Sequence, residues 1–279
     1  MMKKRFYLFF LANRKRRFKF QKQRFLKKYL SYFIDLNFMI HEEDQTIFIG
    51  NRFNPKLVYV CQYNTNRQIL DRKHRYYPLK NNDNHRSNLD RLIRITIILL
   101  LILIYTILSK ILNQLYLSLI FILLMLIVII GKSNYHNFSS TGSLFLLQEL
   151  ALCVNVNDVL FVIYDDHKNQ YLNLKSKTYH RIVFLDRLVF GSHLMLATRN
   201  IQLANINTKD LKDHLSIFAA ELGNDEFKQF NPQCKLLILS LGFEEKDEFY
   251  CKYVDTSDDV TLDLVIYDKI LNFLKQLVQ

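Results

Sequence analysis

Asp165, Asp166 and His167 place two carboxylates and an imidazole side by side. That trio could hold a divalent cation, or act as the acidic pair of a glycosyltransferase. The run lies between the apolar stretches DVLFVIY and QYLNL, where Asp and Asn are favoured for backbone reasons, so a turn is the first reading. Asp258-Asp259 reads as a second turn. His74 and His85 stand eleven residues apart in a polar stretch with no Cys or carboxylate cluster beside them, which is poor ligand spacing. His180 and His193 sit in apolar runs and read as structural. The four cysteines, Cys61, Cys153, Cys234 and Cys251, form no CxxC pair. Cys153 lies in an apolar run and reads as a buried thiol in a reducing compartment. Glycine-rich phosphate loops, HExxH and GxSxG are absent from the sequence. The residues therefore point to no catalytic group, no metal and no cofactor.

The elements that would position such groups begin with an uneven charge. Of a net +12, residues 1–91 contribute 21 Lys/Arg against 7 Asp/Glu, whereas residues 132–279 hold 15 against 19. The first 28 residues carry 12 Lys/Arg and no acid, interleaved with Phe and Leu. Residues 1–45 read as a basic amphipathic segment lying on anionic headgroups, with Arg14, Lys15, Arg16 and Arg17 as lipid contacts. The same charge would suit RNA, but no nucleic-acid module surrounds it, and no nucleic-acid partner is expected. In residues 46–91, TIFIG and KLVYVCQY read as two arms of a β-hairpin, followed by a basic approach to a membrane.

Residues 92–131 are almost wholly apolar, broken once at SKILNQ. One helix of that length would overshoot the ~30 Å bilayer core at ~1.5 Å per residue. The expectation is a transmembrane helical hairpin, roughly 92–110 and 113–131, with both flanks on the positive, cytosolic side.

Residues 140–279 read as a small α+β domain with an antiparallel sheet and a C-terminal helix. SLFLLQELALCVNV (143–156) is too short for a third span, and its alternation from Leu150 to Val156 predicts the first strand. Strands are also expected in DVLFVIY, QYLNL, RIVFLDRLVF, CKLLILSLGF and EFYCKYVDT. TKDLKDHLSIFAAEL (208–222) reads as an amphipathic helix, part of an insertion near 205–232. Leu264, Tyr267, Ile270, Leu271 and Leu274 have helical spacing.

This order of parts resembles PIG-H, the H subunit of the phosphatidylinositol N-acetylglucosaminyltransferase complex. RYYPL at 75–79 is similar to a Tyr-Tyr stretch before that family's first span. Ser143–Val154 resembles its ESLLII-x-LGIQ pattern, with Leu150-Ala151 for Leu-Gly. Arg181–Val189 resembles I-x-D-I-V-I-N-E-x-I, with Leu185-Asp186 for Asn-Glu. Asp263–Leu277 loosely shares the register of the family's last helix. The resemblance implies a non-catalytic subunit in the endoplasmic-reticulum membrane with both termini cytosolic. It would support a PIG-A-like catalytic partner and other membrane subunits in glycosylphosphatidylinositol-anchor synthesis. Ser143, Leu144, Leu150, Ile182, Asp186 and Leu188 would be the motif positions facing that partner. Two other readings stand beside it: a structural subunit of a mitochondrial inner-membrane or ribosomal complex, and a membrane-bound enzyme using Asp165, Asp166 and His167.

Overall fold

A computed structural model gives the fold and describes residues 2–43, 46–63, 69, 75–79, 88–110, 114–130, 138–165, 174, 179–188, 190–223, 227, 230–252, 254, 259 and 263–278. Two N-terminal helices, α1 (Met2–Asn13) and α2 (Lys19–Asp35), precede strands β1 (Ile40–Glu43), β2 (Thr46–Gly50), β3 (Leu57–Gln62) and β4 (Arg75–Tyr76). Helices α3 (Asn88–Leu108), α4 (Gln114–Ile130) and α5 (Phe138–Ala151) follow. Then come β5 (Val159–Tyr164), β6 (Arg181–Leu185), β7 (His193–Arg199), α6 (Lys209–Lys212), β8 (Ser216–Glu221), β9 (Lys235–Glu245), β10 (Glu248–Lys252) and α7 (Leu264–Gln276).

Among the described residues, ten strands join one mixed sheet. Its main path runs β1-β2-β5-β3-β6-β9. β9 also pairs with β7, which carries β8, and its far end pairs with β10, which carries β4. The centre is parallel: β5 with β3, β3 with β6, and β6 with β9. This replaces the expected small antiparallel sheet in residues 140–279 and draws the N-terminal strands into the same core. VLFVIY and IVFL are apolar without a break because both their faces are covered, as in parallel sheets. β2 and β3 are not a hairpin, because β5 lies between them.

One face of the sheet, with Tyr59, Cys61, Phe161, Ile163, Val183, Leu185, Leu237 and Leu239, packs against α1, α2, α5 and α7. The other, with Val58, Val60, Leu160, Val162, Ile182, Phe184, Leu236 and Ile238, is covered by Leu174, Phe230, Phe249 and Val254. Tyrosine hydroxyls tie the helices down. Tyr59 donates to Leu274 O at 2.6 Å, Tyr29 to Leu144 O at 2.8 Å and Tyr267 to Gly142 O at 2.8 Å. Asp263 caps α7 by accepting from the Val265 and Ile266 amides.

The stretch from Ser143 is a helix, not a strand. Ser143, Leu144, Phe145, Leu146, Leu147, Leu150 and Ala151 are all buried, so α5 has no polar face to reveal a helical period. Residues 208–222 divide into the one-turn α6 and strand β8, which pairs with β7 from Ser216 to Glu221. Cys153, expected to be buried, is exposed just past α5.

Among the described residues, one stretch, Arg91–Leu108 in α3, is long and apolar enough to cross a membrane by length and composition; the apolar part of α4, Tyr116–Ile130, is shorter. The two-span transmembrane hairpin with a small antiparallel domain is therefore replaced by a mixed α/β domain. Its β3-to-β5 connection carries an exposed apolar arm. The arm's helices touch through the Tyr105 and Phe121 rings at 4.7 Å and Tyr105 Oη and Ser118 Oγ at 3.0 Å.

Candidate functional site at the carboxyl edge of the parallel strands

In open α/β sheets, ligands bind outside the carboxyl ends of the parallel strands, where backbone ends diverge and leave a crevice. Here β3, β5 and β6 end on polar residues: Tyr63 after β3, Asp165 after β5 and Asp186-Arg187 after β6. Each is buried or nearly so.

Arg16 fills the β3 end. It lies in the link between α1 and α2 and has no exposed surface. Its Nε donates to Tyr63 O at 2.6 Å and Nη2 to Thr141 Oγ1 at 3.1 Å, while Nη1 reaches Asn13 O. The guanidinium lies 5.2 Å from the centre of the Phe25 ring. Burial lowers its pKa from the ordinary guanidinium range to about 9, and the Arg187 charge adds to that effect. It still carries its proton at neutral pH. Burial also raises the Cys61 thiol and Tyr29 phenol, so both stay neutral beside it.

Asp165, at the end of β5, forms an ion pair with Lys22 of α2, both side chains largely buried. Asp186, after β6, accepts from Tyr76 Oη at 2.8 Å. The Arg187 Nε lies 3.7 Å from the other Asp186 oxygen, and the guanidinium sits 5.3 Å from the Tyr76 ring centre. Arg187 adopts a left-handed φ of 55°, which turns its side chain back beside its neighbour. Burial first, then the Asp186 charge, raises Tyr76 and Cys251. Ser240 Oγ lies 3.3 Å from Cys251 Sγ. The result is a buried row in which Lys22 balances Asp165 and Arg187 balances Asp186.

The sequence-derived positions fall largely inside this interior. Ser143, Leu144 and Leu150 lie in the buried α5, Ile182 in the middle of β6, and Leu188 beyond it with no exposed surface. Asp186 alone of the six joins the polar row. Arg14 is half-buried and Lys15 exposed; Arg16 is enclosed; Arg17 reaches Ile130 O at the end of α4. Asp166 and His167 lie outside the described residues, as do His74 and His85. Lys22, Tyr76, Thr141 and Arg187 were not singled out from sequence. The available signal was three unbroken apolar runs, LVYVC, VLFVI and IVFL, each followed by polar residues.

No protein-family model matches this sequence, and no curated protein matches it. Solved structures do match in fold. Tannerella forsythia glutaminyl cyclase is similar with a TM-score of 0.56 at 9% identity, over 98% of this chain and 95% of that one. A Zn-dependent exopeptidase from Parabacteroides distasonis gives 0.55 at 7% identity, over 98% and 94%. A leucine aminopeptidase precursor from Bacteroides thetaiotaomicron gives 0.56 at 10% identity, over 98% and 95%. At these identities the likeness is one of fold. It overturns the resemblance to PIG-H, and with it the reading as a subunit for glycosylphosphatidylinositol-anchor synthesis. The mitochondrial or ribosomal alternative gains no support from these structures either.

The zinc dependence of the Parabacteroides protein raises the question of whether this chain's donors suit zinc. Zinc sites need three or four His, Cys or carboxylate ligands converging on one point. Among the described residues no three such side chains lie together. Asp165 and Asp186 are instead engaged by cations, and Arg16, Lys22 and Arg187 would repel a second positive centre. His193 lies elsewhere, on β7, 3.6 Å from Glu244. The described donor set does not fit zinc.

Proposed function

We propose that this chain uses the α/β fold seen in exopeptidases and glutaminyl cyclases without zinc hydrolysis or cyclisation, as a binding and positioning domain. The observation that supports it most is the enclosed Arg16, a fixed positive charge bonded to Tyr63 O and Thr141 at the carboxyl edge. Removing a buried ionic partner leaves an uncompensated charge that costs about 3–5 kcal/mol, so the row resists opening to admit substrate. The charges at this edge serve to join α1 and α2 to the ends of β3 and β5.

The test is turnover by the purified full chain with and without added zinc. Substrates are peptides with N-terminal Gln, assayed for cyclisation, and peptides with N-terminal Leu, assayed for residue release. No turnover above the protein-free rate is expected under either condition. Zinc-stimulated turnover removed by a chelator would refute the reading.

A further inference from the structure

We propose that the apolar arm and the basic rim at its base seat the domain on a lipid bilayer rich in anionic headgroups. Leu92, Leu99, Leu103 and Ile107 of α3 and Leu119, Leu123, Ile127 and Ile129 of α4 are each more than half exposed. Apolar residues on every side are costly in water and favoured in hydrocarbon. The 18-residue window Arg91–Leu108 is 0% buried. At ~1.5 Å per residue it would extend about 27 Å, close to the ~30 Å apolar thickness of a bilayer.

The charge at the arm's base selects the occupant. Arg17 donates to Ile130 O and Arg94 donates to Val128 O at 3.2 Å, so the α1–α2 link and the start of α3 meet the C-terminal end of α4. Arg14 and Lys15 belong to the same link, and Arg91 lies one turn before Arg94. Arg17, Arg91 and Arg94 therefore stand where the apolar arm joins the domain, with Arg14 and Lys15 nearby in sequence. An apolar arm rooted in a basic rim complements a hydrocarbon layer topped by phosphate charge. The contact is made by the arm as a whole, because α4 lies antiparallel beside α3 from Tyr105 and Ser118 down to Arg94 and Val128. The rim shares the α1–α2 link with Arg16 but uses other residues of it, and the contact stands whether or not the carboxyl edge turns over substrate.

Flotation of the full chain with vesicles tests it. Phosphatidylcholine vesicles are compared with the same vesicles containing phosphatidylserine, at low and high salt. The wild type should float with both, more strongly with phosphatidylserine, and the gain should shrink in high salt. Joint Arg14→Gln, Lys15→Gln and Arg91→Gln changes should lose that gain, by roughly fivefold in affinity for each charge near the surface. Leu99→Asp with Leu103→Asp should lose flotation on both vesicles with an unchanged circular-dichroism spectrum. Equal wild-type flotation on neutral and anionic vesicles would overturn the proposal. So would a homodimer that buries the arm and does not float.

Discussion

At the scale of single residues, the carboxyl edge is governed by the cost of burying charge. Lys22 and Asp165 are both largely removed from water, and each makes the other's burial tolerable. Lys22→Met should destabilise the fold by about 3 kcal/mol, because Asp165 stays buried and loses the Lys22 charge that balances it. Lys22→Met with Asp165→Leu should recover most of that loss, since an apolar pair in such a place is often neutral. Denaturant midpoints for the two singles and the double measure the coupling; additive losses would mean that the pair is not coupled. Asp186 was visible in the sequence, but its partners were not, because Tyr76 lies 110 residues away and only the sheet brings it close. Arg16 was misleading for a related reason. A run of Arg and Lys reads as a surface facing lipid headgroups, yet one member can turn inward when carbonyls and a ring await it.

At the scale of elements, helix α7 and the β9 and β10 strands were legible. So were the strand segments TIFIG and LVYVCQ, though not their order in the sheet. A strand's own sequence does not say which neighbour it takes, so a consecutive pair looked like a hairpin when β5 lies between. Helix α5 was illegible because full burial erases the period that distinguishes helix from strand. Backbone proximity is equally hidden. Gly242, one residue before Phe243 where β9 begins to pair with β10, has room for no side chain: an added Cβ would meet Tyr250 O at 2.4 Å. Gly191 approaches the same spot, its own Cβ position lying 2.2 Å from Gly242 O. Gly242→Ala should therefore cost more than about 1 kcal/mol and weaken the β9–β10 pairing, read as a lower denaturant midpoint and faster amide exchange in residues 248–252. An unchanged midpoint would show that the strands can part without cost.

At the scale of the whole molecule, many buried acids on tyrosine and cysteine set the alkaline limit of stability. Tyr29, Tyr76 and Tyr267 are held well above the ordinary phenol value of 10.0, and Cys61 and Cys251 above the ordinary thiol value of 9.0, chiefly by burial. For each, the folded pKa exceeds the unfolded one. Its stabilising effect is therefore complete below the unfolded value and falls as pH rises past it. Arg16 acts oppositely above about 9, up to the ordinary guanidinium range, but it is one group against several. Unfolding should set in above the thiol and phenol values, with tyrosinate absorbance appearing in the same cooperative step as the loss of circular dichroism; tyrosinate formation in a still-folded protein would contradict the burial described.

The charge row at the carboxyl edge decides whether this fold carries zinc chemistry here. The most direct measurement is the zinc bound by the purified full chain after equilibration with excess zinc and dialysis, read by elemental analysis. The ion-paired edge predicts far less than one zinc per chain. One tightly held zinc per chain, released by a chelator, would contradict it.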